Sequence, residues 1–115
     1  MLARSGVSTL IVEKESGIYP LPRAAHIDHE IARVFQELGL AEEFSASWRL
    51  SARYDFLNAN GEVLMRFQGM DDIGPGGWPI ANMIHQPSIE LGLRNTILEQ
   101  DRVELVSNCS YLSHR

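Results

Sequence analysis

The 115-residue sequence predicts an α/β fold with an antiparallel β-hairpin inserted into it. Three observations carry that prediction. A β-branched apolar run, Val7–Glu13, has the character of a buried parallel strand. Two later stretches, 28–38 and 88–100, repeat apolar residues at helical spacing. Between them, two strand-like segments flank an Asn-Gly turn. The order strand, helix, hairpin, helix, strand favours a sheet with helices over a helical bundle.

Each element has a local justification. Leu2 to Gly6 reads as a helix end, with Arg4 favourable at the negative pole and Gly6 able to take the left-handed stop conformation. A helix end running into a buried strand is the second half of a β-α-β crossover, so the chain is expected to open inside such a unit. Lys14–Ala25 is irregular, with Pro20 and Pro22 holding Tyr19 and Leu21 extended. Asp28 is the expected N-cap of a helix whose apolar face is Ile31, Val34, Phe35 and Leu38, and Gly39 ends it. Tyr54–Leu57 and Val63–Phe67 form the hairpin strands, with Asn60 and Gly61 supplying two positive φ angles at the turn. Gly69–Pro79, with four glycines and two prolines, is a loop that lacks the Gly-Lys-Ser/Thr ending of a phosphate loop. Ser88 is the expected N-cap of the second helix, whose face includes Ile89, Leu93, Thr96 and Ile97, and Val103–Val106 is the closing strand.

Composition narrows the function. Ten basic and 15 acidic residues, interspersed, give a net charge of −5 without a basic stripe, which argues against nucleic-acid or anionic-membrane partners. No apolar run has the roughly 20 residues of a spanning helix, and the start has no signal-peptide core, so a cytoplasmic location is expected. The single cysteine, Cys109, forms neither an internal disulfide nor a CxxC motif. His26, Asp28, His29 and His85 match no usual metal-ligand spacing, so no metal is expected.

Glu13 is the first functional clue, because in dinucleotide-binding folds an acid at the end of the second strand, about 20 residues after the glycine motif, accepts hydrogen bonds from a ribose diol. The strand Val7–Lys14, then Tyr19–Glu30 (YPLPRAAHIDHE), then Phe35–Leu40 (FQELGL), and later Gln86–Arg94 (QPSIELGLR) stand in an order and spacing that resemble FAD-dependent aromatic-ring monooxygenases, above all the 3-(3-hydroxyphenyl)propionate hydroxylase type. The resemblance covers essentially the whole chain. It implies part of an FAD-binding domain of the glutathione-reductase, Rossmann-like type, entered after its GxGxxG loop, with a substrate-side insertion. The implied division is residues 1–50 (partial FAD-binding domain), 51–82 (hairpin and Gly/Pro loop of the insertion) and 83–115 (return helix and strand).

It further implies FAD as cofactor, NAD(P)H as co-substrate and a small aromatic substrate for the intact enzyme. Glu13 would bind the adenosine ribose, Arg23 the cofactor oxygens and Gln86 the ribityl chain. His26, Asp28 and His29 would lie toward the flavin and substrate, where an acid or imidazole helps ionise a phenol. Tyr54, Phe56 and Phe67 share a hairpin face that could line an aromatic cavity or simply pack, and Trp78 could likewise cover apolar surface. Without the glycine loop, which cradles the pyrophosphate, the chain alone is expected to bind FAD poorly, to be inactive, and to self-associate through an exposed sheet edge. Two alternatives stay open: another FAD-dependent oxidoreductase such as a polyketide hydroxylase, and a noncatalytic remnant or partner-dependent module of the same fold.

Overall fold

Parallel pairing of two strands requires a crossover between them, and the chain supplies one. In the computed structural model, which describes residues 1–113, strand β1 (Thr9–Val12) pairs in parallel with β7 (Val103–Val106), the last strand among the described residues, in the register Thr9↔Val103 to Val12↔Val106. The crossover helix α3 (Gln86–Leu98) immediately precedes β7 and packs against it. These elements belong to one compact unit, Met1–Arg23 together with the chain from Gln86 onward, while Ala24–His85 forms a second unit inserted between β1 and α3.

In the first unit a 3-10 turn, Ala3–Ser5, stops at Gly6, whose φ of 81° is left-handed and whose N–H donates to the Ala3 carbonyl. Backbone bonds from Thr9 N–H to Arg102 O (2.8 Å) and from Glu13 N–H to Val106 O (2.9 Å) extend the pairing beyond both ends of β1. The strand is not fully buried as its composition implied. Thr9 and Ile11 are half-buried, whereas Leu10 and Val12 are exposed, because the described residues of this unit cover only one face of the pleat. Helix α3 starts at Gln86, so Ser88 is not its N-cap. Pro87 explains the earlier start: it has no N–H to leave orphaned and its fixed φ is already helical. Ile89 is the buried residue of this helix.

The second unit contains β2 (His26–Asp28), α1 (His29–Leu38), α2 (Ala41–Ser45), β3 (Arg49–Leu50), β4 (Arg53–Leu57), β5 (Val63–Gln68) and β6 (Ala81–Met83). Strands β2 and β3 flank β6 in an antiparallel three-stranded sheet, with pairs Ile27↔Asn82 and Leu50↔Asn82. Helix α1 is capped as its sequence predicts: Asp28 Oδ1 accepts from Ile31 N–H at 3.0 Å. At its other end Gly39 (φ 78°) donates to Gln36 O and Leu40 to Phe35 O, the two bonds of a Schellman stop. Its buried residues are Ala32 and Phe35, while Ile31 is 44% exposed, so the covered stripe is rotated from the expected one. The reason is α2, absent from the sequence prediction, whose Phe44 meets Phe35 edge-on at 5.1 Å between ring centroids. Trp48 and Trp78 continue this aromatic core at 5.7 Å.

The hairpin turn differs from the expected two-residue form. Only Gly61 has positive φ (82°); Gly61 N–H donates to Asn58 O, and Asn58 N–H to Glu62 O, which makes a longer turn with its left-handed residue at glycine. Asn58 Oδ1 also accepts from the Asn60 and Glu62 amides at 2.9 Å, so the asparagine that organises the turn is Asn58.

Candidate functional site

The strongest charged candidates lie in the first unit. Glu13 follows β1 and stays beside β7 through its backbone: its N–H donates to Val106 O, and its carbonyl accepts from Cys109 N–H at 3.0 Å. Its carboxylate Oε1 accepts from Glu15 N–H at 2.8 Å, which orients the side chain locally without neutralising it. Among the described residues, Glu13 forms no ion pair.

Arg23 ends the proline-stiffened loop. Its backbone N–H donates to Gln86 Oε1 at 2.8 Å, a bond between residues 63 positions apart. Its guanidinium carbon stands 5.2 Å from the centre of the Tyr19 ring, within cation–π range. No carboxylate pairs with this guanidinium among the described residues. Elsewhere arginines meet acids: Arg94 reaches Glu90 at 2.6 Å, and Arg66 Nε and Nη2 reach Asp55 Oδ1 and Oδ2 at 2.7 and 3.0 Å. Glu13 and Arg23 thus present an acid and a cation that form no ion pair among the described residues. That chemistry suits a dinucleotide, whose ribose hydroxyls donate to a carboxylate and whose phosphates accept from a guanidinium. Gln86 occupies the first turn of α3, at the positive end of the helix dipole, and spends its side-chain oxygen on the Arg23 backbone. Tyr19 was not singled out as a functional residue from sequence; its position four residues before Arg23 on the same loop was the available signal.

His26, Asp28 and His29 lie in the second unit and mostly do structural work. Asp28 caps α1. His29 Nδ1 accepts from Gly76 N–H at 3.2 Å, and a Cβ placed on buried Gly74 would lie 2.6 Å from His29 Cδ2, so the Gly/Pro loop is moulded around this imidazole. His26 is exposed and meets Tyr54 edge-on at 5.6 Å, while the Tyr54 hydroxyl contacts Met83 Sδ at 3.2 Å. Phe56 and Phe67 meet at 6.1 Å on the hairpin and are about half exposed. Trp78 is half-buried in the aromatic core, its Nε1 donating to Gln36 Oε1 at 2.8 Å. On the hairpin's other face, hydrogen bonding to Arg66, helped by the charge of Arg53, holds the Asp55 carboxyl below its ordinary range. Among the described residues, no three His, Cys, Asp or Glu side chains are grouped to hold a metal, and no helix is long and apolar enough to cross a membrane.

A family model described as an FAD binding domain matches residues 1–114. The chain belongs to the FAD binding domain family. Within that family, the chain is 36% identical over 105 residues to the "Probable NADH-specific resorcinol 4-hydroxylase" of Rhodococcus jostii, covering 91% of this chain and 20% of that protein. It is 34% identical over 109 residues to the 3-(3-hydroxy-phenyl)propionate/3-hydroxycinnamic acid hydroxylase of Burkholderia cenocepacia, covering 91% of this chain and 19% of that one. The chain therefore spans about one fifth of the length of these curated relatives. Among solved structures, its fold is similar to p-nitrophenol 4-monooxygenase PnpA of Pseudomonas putida, with TM-score 0.75, 20% identity, and coverage of 93% of this chain and 27% of that one. It is also similar to the flavin-dependent monooxygenase PieE in complex with FAD and substrate, with TM-score 0.71, 24% identity, and coverage of 93% and 20%. The partial FAD-binding fold expected from sequence is the fold these comparisons show.

Proposed function

We propose that this chain is the part of an FAD-dependent aromatic hydroxylase that holds the adenosine and phosphate portions of the cofactor. The observation that carries the reading is that Glu13 and Arg23, in one compact unit of an FAD binding domain family member, have no counter-ion among the described residues. Glu13 accepts hydrogen bonds from the ribose hydroxyls, and the Glu15 amide on Oε1 keeps the carboxylate aimed. Arg23 donates to phosphate oxygens from a guanidinium already braced by Tyr19. Gln86, at the first turn of α3, serves the cofactor side through the Arg23 backbone that its side-chain oxygen holds. When bound, FAD supplies the redox chemistry, with NAD(P)H as reductant and O2 as the oxygen source.

For the reaction itself, Asp28 and His29 are read as scaffold, since both are committed to backbone amides. His26 is left as the imidazole available to take a phenolic proton. The unit Ala24–His85 is read as the substrate-side insertion together with its supports, and the flanking residues 1–23 and 86–115 as cofactor-side. A cytoplasmic location accords with a soluble reductant and a single unpaired cysteine. The test is to supply the complete polypeptide with FAD, NADH or NADPH, and resorcinol or 3-(3-hydroxyphenyl)propionate under isotopically labelled dioxygen. Incorporation of one labelled oxygen into the ring supports the reading. FAD binding with no phenol-stimulated reductant consumption across a panel of phenols would overturn the hydroxylase assignment.

A further inference from the structure

We infer that Gln86 is a positioning residue for Arg23: its side-chain oxygen fixes the arginine's backbone so that the guanidinium is presented to the cofactor phosphates in one orientation. This rests on the FAD-binding reading above and adds a mechanism that the family resemblance, which sets Gln86 against the ribityl chain, does not contain. The Arg23 amide and Gln86 Oε1 are 2.8 Å apart, although 63 residues separate them. They are also the two boundary residues of the first unit, the last before the inserted unit and the first after it. The bond therefore ties the departing loop to the start of α3 and closes the cofactor-side unit on itself.

Three constraints converge on one residue. Pro22 stiffens the approach, the Tyr19 ring lies 5.2 Å from the guanidinium carbon, and Gln86 holds the main chain. An arginine on an untethered exposed loop would lose conformational freedom on binding a phosphate; here much of that loss has already occurred on folding. A glutamine suits the task because its neutral oxygen accepts the amide without adding a negative charge beside a phosphate site.

The inference is tested with Gln86→Met, which keeps length and helix propensity but removes the acceptor, beside Gln86→Glu, which retains an acceptor oxygen, and Arg23→Ala. The first readout is hydrogen exchange at the Arg23 amide, measured on the protein without FAD. It should be slow in the wild type and in Gln86→Glu and fast in Gln86→Met. The second is FAD affinity of the complete polypeptide as a function of salt, since a cation–phosphate contact is screened and a neutral contact is not. Arg23→Ala should weaken binding roughly tenfold or more and flatten the salt dependence. Gln86→Met should flatten it in the same way and add little in the Arg23→Ala background.

Equal Arg23 exchange in Gln86→Met and wild type would overturn the tether. A Gln86→Met protein that binds more weakly but keeps the wild-type salt slope would overturn the positioning role in favour of a direct flavin contact. If Arg23→Ala leaves affinity and slope unchanged, the cofactor role of Arg23 itself fails, and the exchange data separate that failure from loss of the tether. Tyr19→Leu is the second variant: it leaves the tether intact and should give fast side-chain motion of Arg23 with a protected amide.

Discussion

Replacing Glu13 separates two jobs that one side chain holds. Oε1 accepts the Glu15 amide at 2.8 Å, and the carboxylate has no ion-pair partner among the described residues. Glu13→Gln keeps an acceptor oxygen for the Glu15 amide and removes the charge; Glu13→Ala removes both. If the carboxylate binds the ribose diol, the loss is that of hydrogen bonds to a charged acceptor, about 1.5–3 kcal/mol, or roughly 10- to 150-fold in Kd. Glu13→Gln should therefore weaken FAD binding by about tenfold at least while leaving thermal stability close to wild type. Glu13→Ala should match it in affinity and lose a further ~0.5 kcal/mol of stability with the exposed Glu13–Glu15 turn bond, whose amide then turns to water. The assay is titration of the apo form of the complete polypeptide, following quenching of FAD fluorescence, beside a thermal melt. If Glu13→Gln binds FAD like wild type and only Glu13→Ala is impaired, the residue is a turn-former at a strand end and the ribose assignment is wrong.

Three further outcomes follow from the geometry. Asp55→Asn should destabilise the hairpin at neutral pH, and the difference from wild type should shrink as pH falls. A carboxyl held low by Arg66 contributes stability above its unfolded pKa of about 3.9 and loses it as pH drops through the lower folded value; a difference that grows toward acid in pH-dependent melts would contradict this sign. Gly74→Ala should cost about 1–3 kcal/mol in denaturant unfolding, because the new methyl would stand 2.6 Å from His29 Cδ2 in a loop already bonded to that ring, and an unchanged midpoint would show that the loop moves aside freely. Expressed alone, the 115-residue chain should associate with rising concentration through β1, whose Leu10 is 60% exposed and which among the described residues pairs with β7 alone, and Leu10→Lys should shift sedimentation toward monomer; identical behaviour of the two would remove that surface from consideration.

The elements that local chemistry specifies were legible in the sequence. β1 and β7 are apolar runs bounded by polar residues, α1 carries both its cap and its stop, and the hairpin is punctuated by Asn-Gly. The three-stranded sheet was not, since β2, β3 and β6 are two or three residues long, too short for a period, and exist only because they pair across the chain. Helix α2 escaped for a similar reason: five residues hold one buried Phe44 against Phe35, a contact with no signature in spacing. Strand-end Glu13 and loop residue Arg23 were legible as candidates by type and position. That Gln86 would spend its oxygen on Arg23, and that His29 would be committed to the Gly76 amide, depends on where the chain returns rather than on local sequence, whereas the capping role of Asp28 was local and legible.

The most direct measurement is the FAD content of the complete polypeptide, released by heat and quantified by absorbance, for the wild type and for Glu13→Gln combined with Arg23→Ala. The account predicts close to one FAD per wild-type chain and a double variant that purifies largely as apoprotein. A double variant that retains FAD at wild-type stoichiometry and affinity would contradict it, and would place the cofactor's charged contacts outside the residues assigned here.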